Sequence, residues 1–173
     1  MGAATCQAQA GTGSSVSWAN AEGGVTFNLA DSITSTTPIA IPTATGTNFS
    51  WIKNLVIAVT VAGTTTLSNR TVKMSGSPST GLAMFWKAVA VASYAQAASG
   101  NRPTASGSNG ATPAGYTAMT TSAVQYDGSS VASSSTGPNG SMAVCVIGVD
   151  NTYVGGAGSA ISLPSIILSY DEA

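Results

Sequence analysis

The sequence predicts an all-β domain, a two-sheet antiparallel β-sandwich of jelly-roll or immunoglobulin-like type, on three observations. Continuous apolar, β-branched runs at residues 55–61 and 143–149 suit strands buried inside a sandwich. Gly- and Pro-rich punctuation separates short apolar segments along most of the chain, and no segment reads as a convincing helix. No repeat of solenoid or propeller length is present.

The elements follow in order. Residues 1–23 are Ala, Gly, Ser, Thr and Gln with the single aromatic Trp18, and read as an extended N-terminal arm preceding a single sandwich domain at 24–173. At 25–29, Val25, Phe27 and Leu29 alternate with Thr26 and Asn28, the period of a half-buried strand. Pro38 and Pro42 mark an edge or connector. Residues 51–61 form the strongest strand, apolar on both faces and therefore central, and 70–74 the next. Residues 82–94 alternate Phe85, Val89 and Val91 with Met84, Trp86 and Ala88; strand is favoured over helix despite the alanines. Short strands are expected at 116–119 and 124–126, then an apolar strand at 141–149 and a closing one at 161–170, interrupted at Pro164. Two long polar loops, 95–115 and 127–141, separate these strands and are the natural place for contact surfaces.

The 173 residues include five Lys+Arg, six Asp+Glu and no His, so 6% are charged where about 25% is usual. Without His there is no His-based zinc site, Ser-His-Asp triad or imidazole acid–base catalysis. Five scattered cations do not form the basic surface that nucleic acid needs. No stretch is long and apolar enough for a membrane-spanning helix: 81–98 is broken by Lys87, Ser93, Tyr94 and Gln96. The first residues carry neither a cationic segment nor an apolar core, so synthesis and folding in a cytoplasm is expected. A net charge of −1 on so neutral an exterior is poor for keeping a free monomer unassociated, which points to a surface covered by other protein.

A search for chemistry finds no catalytic, cofactor or metal site. Of the acids Glu22, Asp31, Asp127, Asp150, Asp171 and Glu172, the last two alone adjoin, and they lie at the end of the chain. No Ser-x-x-Lys motif offers a nucleophile with a base. Residues 155–158 read as a glycine turn rather than a phosphate cradle, and Asp150-Asn151 as a turn rather than a calcium site. Cys6 and Cys145 read as two structural thiols rather than a bridge. Trp51 and Trp86 sit within strand patterns and are expected in or beside the core. Two residues remain as possible partner contacts. Trp18, at the junction of arm and domain, can anchor the arm on this or another subunit. Arg102, before Pro103 in the long loop, presents a planar fork to an acidic group or is simply a solvated charge.

The polar arm through Ala21, the stretch 54–66 (Asn-Leu-Val-Ile-Ala-Val-Thr-Val-Ala-Gly-Thr-Thr-Thr) and the terminal 163–173 (Leu-Pro-Ser-Ile-Ile-Leu-Ser-Tyr-Asp-Glu-Ala) belong to a chain rich in Ala, Ser, Thr and Gly with little charge. In this style, though through no diagnostic motif, it resembles virion proteins of tailed bacteriophages, specifically small β-sandwich capsid decoration or cement proteins. The resemblance implies a non-enzymatic component of the virion surface that binds the major capsid protein, bridges coat subunits with arms and loops, and forms a homo-oligomer, a trimer above all. It implies no individual site residue. The alternative is a tail or fibre adhesion module binding a host surface glycan through 95–115 or 127–141, and a remote third is a small hydrolase.

Overall fold

The computed structural model describes residues 2–35, 37–155 and 163–173. It is all-β, two antiparallel sheets facing one another, as the apolar runs and turn punctuation predict. The strands are β1 (Thr5–Thr12), β2 (Ser17–Asn20), β3 (Thr47–Phe49), β4 (Lys53–Val61), β5 (Thr66–Met74), β6 (Leu82–Ala90), β7 (Thr117–Ala118), β8 (Val124–Asp127), β9 (Val131–Ala132), β10 (Gly137–Pro138), β11 (Ser141–Asp150) and β12 (Ile166–Glu172). The larger sheet runs β2-β1-β4-β11-β6-β7, with β10 also on β4 and β3 on β11; the smaller runs β12-β5-β8, with β9 on β5.

The two apolar runs, β4 and β11, are neighbours at the centre of the larger sheet, where both faces are buried. One face looks at the smaller sheet: Leu55, Met84, Trp86, Ala143, Cys145 and Ile147 pack there against Val72, Met74 and Tyr126. The opposite face is covered by the chain's own loops, with Val56, Phe85, Met142, Val144 and Val146 meeting Phe49, Tyr94, Ala97 and Tyr116. The alternation expected in 82–94 is realised as far as Ala90, with Met84 and Trp86 towards the second sheet and Phe85 and Val89 on the loop-covered face, while Val91–Ser93 forms a 3-10 turn instead of continuing the strand. The loop 95–115 does structural duty as a third layer. Asn54 Nδ2 donates to the Ala95 carbonyl at 2.9 Å, and the Thr47 and Ser106 backbones exchange two hydrogen bonds of 2.9 Å each.

The N-terminal segment departs from expectation. The arm expected at 1–23 does not stand apart in its described residues: β1 lies in the larger sheet along β4, from Thr5 opposite Val61 to Gly11 opposite Asn54, and β2 folds back on β1. The boundary at 23 falls behind a hairpin already built into the sandwich. Cys6, Ala8 and Ala10 alternate with Gln7 and Gln9, a strand pattern concealed because its apolar members are so small. Small size is required here. Ala10 is buried beside Leu55, and a Cβ on Gly11 would stand 2.9 Å from the Tyr94 ring and 3.0 Å from the Trp18 ring.

Residues 25–29 are not a strand. Asn28 is buried and turns its carboxamide onto local backbone, accepting from Ala30 N–H at 2.9 Å and donating to the Ser35 carbonyl at 2.7 Å, so side chain–backbone bonding displaces the ladder. Val25 and Phe27 still pack on the inter-sheet core. The strand expected at 70–74 begins earlier, at Thr66, because Asn69 adopts a left-handed backbone (φ 47°) and the register shifts at Arg70. That bulge lets Leu67, Arg70, Val72 and Met74 all turn inward, breaking the period of two that a strand reading relies on. The start of the strand expected at 161–170 and the glycine turn at 155–158 lie largely outside the described residues.

Candidate functional site

The chain has little charge and hides part of it. Lys53, Arg70, Asp127 and Asp150 are buried. Arg70 Nη2 meets Asp127 Oδ2 at 2.6 Å, with the two side chains 1% and 2% exposed; among the described residues no other salt bridge forms. Asp127 also accepts from the N–H groups of Ser129 and Ser141, and Arg70 Nη1 donates to the Asn139 carbonyl. Burial pushes the Asp127 carboxyl up, but these donors and the Arg70 cation outweigh it and hold its pKa below the usual carboxylate value. Gly140 (φ 76°) closes the cluster, since a Cβ there would collide with the guanidinium. The pair thus ties β5 and β8 to the loop that enters β11.

Lys53 lies on the inter-sheet side of β4, and its ammonium donates to Asn28 Oδ1 (3.0 Å), the Ala30 carbonyl (2.8 Å) and the Ser32 carbonyl (2.7 Å). Three acceptors match its three protons. Burial lowers its pKa to about 8, partly offset by the negative charge of Asp31. The lysine pins the irregular segment 28–35 to the central strand, a role its position in an apolar run did not reveal.

The carboxylates are similarly occupied. Asp31 accepts from Gly13 N–H and Gln96 Nε2, both at 2.8 Å; Asp150 from the N–H (2.8 Å) and hydroxyl (2.6 Å) of Thr152; Asp171 from Asn69; Glu172 from Thr65 and Ala4. Asp150 closes the turn read from the sequence, and hydrogen bonds from Thr152 lower its pKa. Among the described residues, no three of His, Cys, Asp and Glu gather where an ion can be held. Cys6 and Cys145 are free thiols, and burial pushes Cys145 up to about 12.

Two clefts remain. The larger, about 970 Å³, lies between the sheets, lined by Cys6, Leu55 and Ile57 on one side and by Ile166, Leu168 and Tyr170 on the other. Its walls are mainly aliphatic. The smaller, about 490 Å³, is lined by residues of the loop stretches 101–106 and 111–116 together with Phe49 and Lys87.

Of the two residues singled out in the sequence, Trp18 is taken up by its own chain. It packs edge-on against Tyr94, ring centroids 5.9 Å apart, and joins the loop-covered core, as does Trp51. Trp86 is buried in the inter-sheet core. Arg102 is exposed and lines the smaller cleft with Lys87, whose Nζ sits 4.7 Å from the centroid of the Tyr116 ring. Sequence reading named Arg102 but not Lys87, because 15 residues separate them and the intervening loop must fold over β6 to bring both to one cleft. Compared with protein-family models, curated proteins and solved structures, the chain matches none of them.

Proposed function

We propose that this chain is a non-enzymatic structural protein of a virion, binding the major capsid protein of a tailed bacteriophage and reinforcing or bridging coat subunits, as a homo-oligomer. The observation that carries this reading is the sparse charge of the exterior. With four of the eleven charged side chains buried, Glu22, Asp31, Lys73, Lys87, Arg102, Asp171 and Glu172 alone are left to charge the surface. A surface of Ser, Thr, Ala and Gly with so few charges suits coverage by neighbouring protein better than life as a free monomer.

The way the acids are used supports a non-enzymatic role: five of six carboxylates hold their own fold together, as described above. The aromatic residues argue against the glycan-binding alternative. All three tryptophans pack into the chain's cores, and one face of the Tyr116 ring has Lys87 over it, which leaves those aromatic faces less free for a sugar to stack on.

The test is cryo-electron microscopy and cross-linking of the particles that co-purify with the full chain, together with its solution mass. Density for the chain on the shell, cross-links to the coat protein and a symmetric oligomer are expected. Recovery of the chain away from any shell, as a free monomer, refutes the reading.

A further inference from the structure

We propose that the cleft between residues 101–116 and Lys87 receives an acidic, extended peptide segment of a protein partner, whose carboxylates are met by Arg102 and Lys87. This rests on the virion reading above and names the chemistry of the coat surface the chain would recognise.

Charge is the first argument. The exterior holds three cations, Lys73, Lys87 and Arg102, and two of them line this one cleft. None of its lining residues is acidic. Among the described residues neither cation forms a salt bridge, although the chain supplies carboxylate partners to Ser, Thr, Asn, Gln and Arg groups elsewhere. Lys87 leans on the Tyr116 ring, which holds the ammonium in place without neutralising it.

Preorganisation is the second. Arg102 follows a short 3-10 turn (Ser99–Asn101) with an extended backbone, φ −78° and ψ 153°, and precedes Pro103. The loop beyond is tied down by the Thr47–Ser106 backbone pair, by Gly46 N–H donating to Asn109 Oδ1 at 2.8 Å, and by the Thr47 hydroxyl donating to the Ser108 carbonyl at 2.8 Å. The loop backbone therefore needs little further ordering on binding.

The shape of the site selects the ligand. β7 pairs with β6 at Phe85 and Trp86 and stops there, so among the described residues β6 has no strand partner from Lys87 onward on the side away from β11. An extended peptide can lie along that side with alternate side chains reaching the cations. A guanidinium fork matches a carboxylate in two parallel hydrogen bonds. Two cations are too few to replace the counterions of a nucleic-acid backbone, which favours an acidic peptide over RNA or DNA.

The probe is a blocked synthetic peptide of alternating Glu and Val, titrated at low salt into the full, isotope-labelled chain and followed by backbone amide shifts. Shifts centred on Lys87, Arg102 and Tyr116 are expected, with affinity falling as salt rises and about tenfold on Arg102→Ala or Lys87→Ala. Arg102 is exposed and Lys87 half-buried, and amide spectra unchanged elsewhere verify that each variant folds. The proposal is overturned if the matching Gln peptide binds equally well, if neither substitution matters, or if inorganic phosphate or oligothymidylate binds at the cleft more tightly than the Glu peptide. Shell association is scored separately. A Lys87→Ala/Arg102→Ala chain that still decorates particles overturns this cleft and leaves the virion reading intact; a wild-type chain absent from particles overturns that reading, while the peptide titration still decides the cleft's chemistry.

Discussion

Replacing Arg70 with Met tests the clasp that ties β5 and β8 of the smaller sheet to the loop entering β11. The guanidinium is 1% exposed and its partner Asp127 is 2.6 Å away, so the substitution leaves a carboxylate buried without its cation. Breaking a buried pair from one side costs about 3–5 kcal/mol. Donors from Ser129 and Ser141 remain on Asp127, which places the expected loss near the lower end, about 3 kcal/mol. With a urea dependence of about 2 kcal/mol/M, the unfolding midpoint followed by tryptophan fluorescence should fall by roughly 1.5 M. Acid provides the second reading. In the wild type the folded pKa of Asp127 lies below its unfolded value, so its contribution is complete above the ordinary carboxylate pKa and is lost as pH falls through the lower folded value. Without Arg70, Asp127 keeps the larger lowering effect of the Ser129 and Ser141 hydrogen bonds but loses the cation that also opposes its desolvation, so the folded pKa rises and the deficit of the variant should shrink on acidification through about pH 4. A deficit under about 1 kcal/mol at neutral pH, or one that does not change with pH, refutes the assignment of this pair as a buried clasp.

Further outcomes are expected elsewhere in the fold. Lys53 has its folded pKa lowered to about 8, against about 10.4 in an unfolded chain, so the unfolded state binds more protons between those values; wild-type stability should rise with pH there relative to Lys53→Met, measured by urea titrations at a series of pH values. Trp18→Ala should cost about 2 kcal/mol and speed amide exchange in β1 and β2, since the half-buried ring packs on Tyr94 and Gly11; a change in solution mass at unaltered stability would instead make Trp18 an intersubunit anchor. Under native conditions Cys145 should resist alkylation while Cys6 reacts slowly, and mass spectrometry after unfolding should count two modified thiols without prior reduction. A single modified thiol, or none, contradicts the free-thiol assignment.

The sequence by itself determined the class of fold and the strands at its centre. β4 as far as Val59 and β11 carry enough β-branched, apolar residues to call for burial on both faces, and a pattern of that kind needs no knowledge of partners. The two faces of β6 were legible for the same reason: large side chains alternate. Tertiary structure decided what small and polar residues do. Cys6, Ala8 and Ala10 form a core edge only because β4 lies beside them, and Asn28 interrupts a strand-like pattern because Lys53 and the carbonyls of Ser32 and Ser35 are there to meet its carboxamide. Arg70 and Asp127 are 57 residues apart, and no spacing in the sequence pairs them. Hydrophobic periodicity records how much apolar surface a strand must hide, whereas hydrogen bonds and ion pairs between distant residues leave no period. Arg102 was therefore visible as a lone charge, but its company with Lys87 and Tyr116 exists only once the loop closes over the sheet.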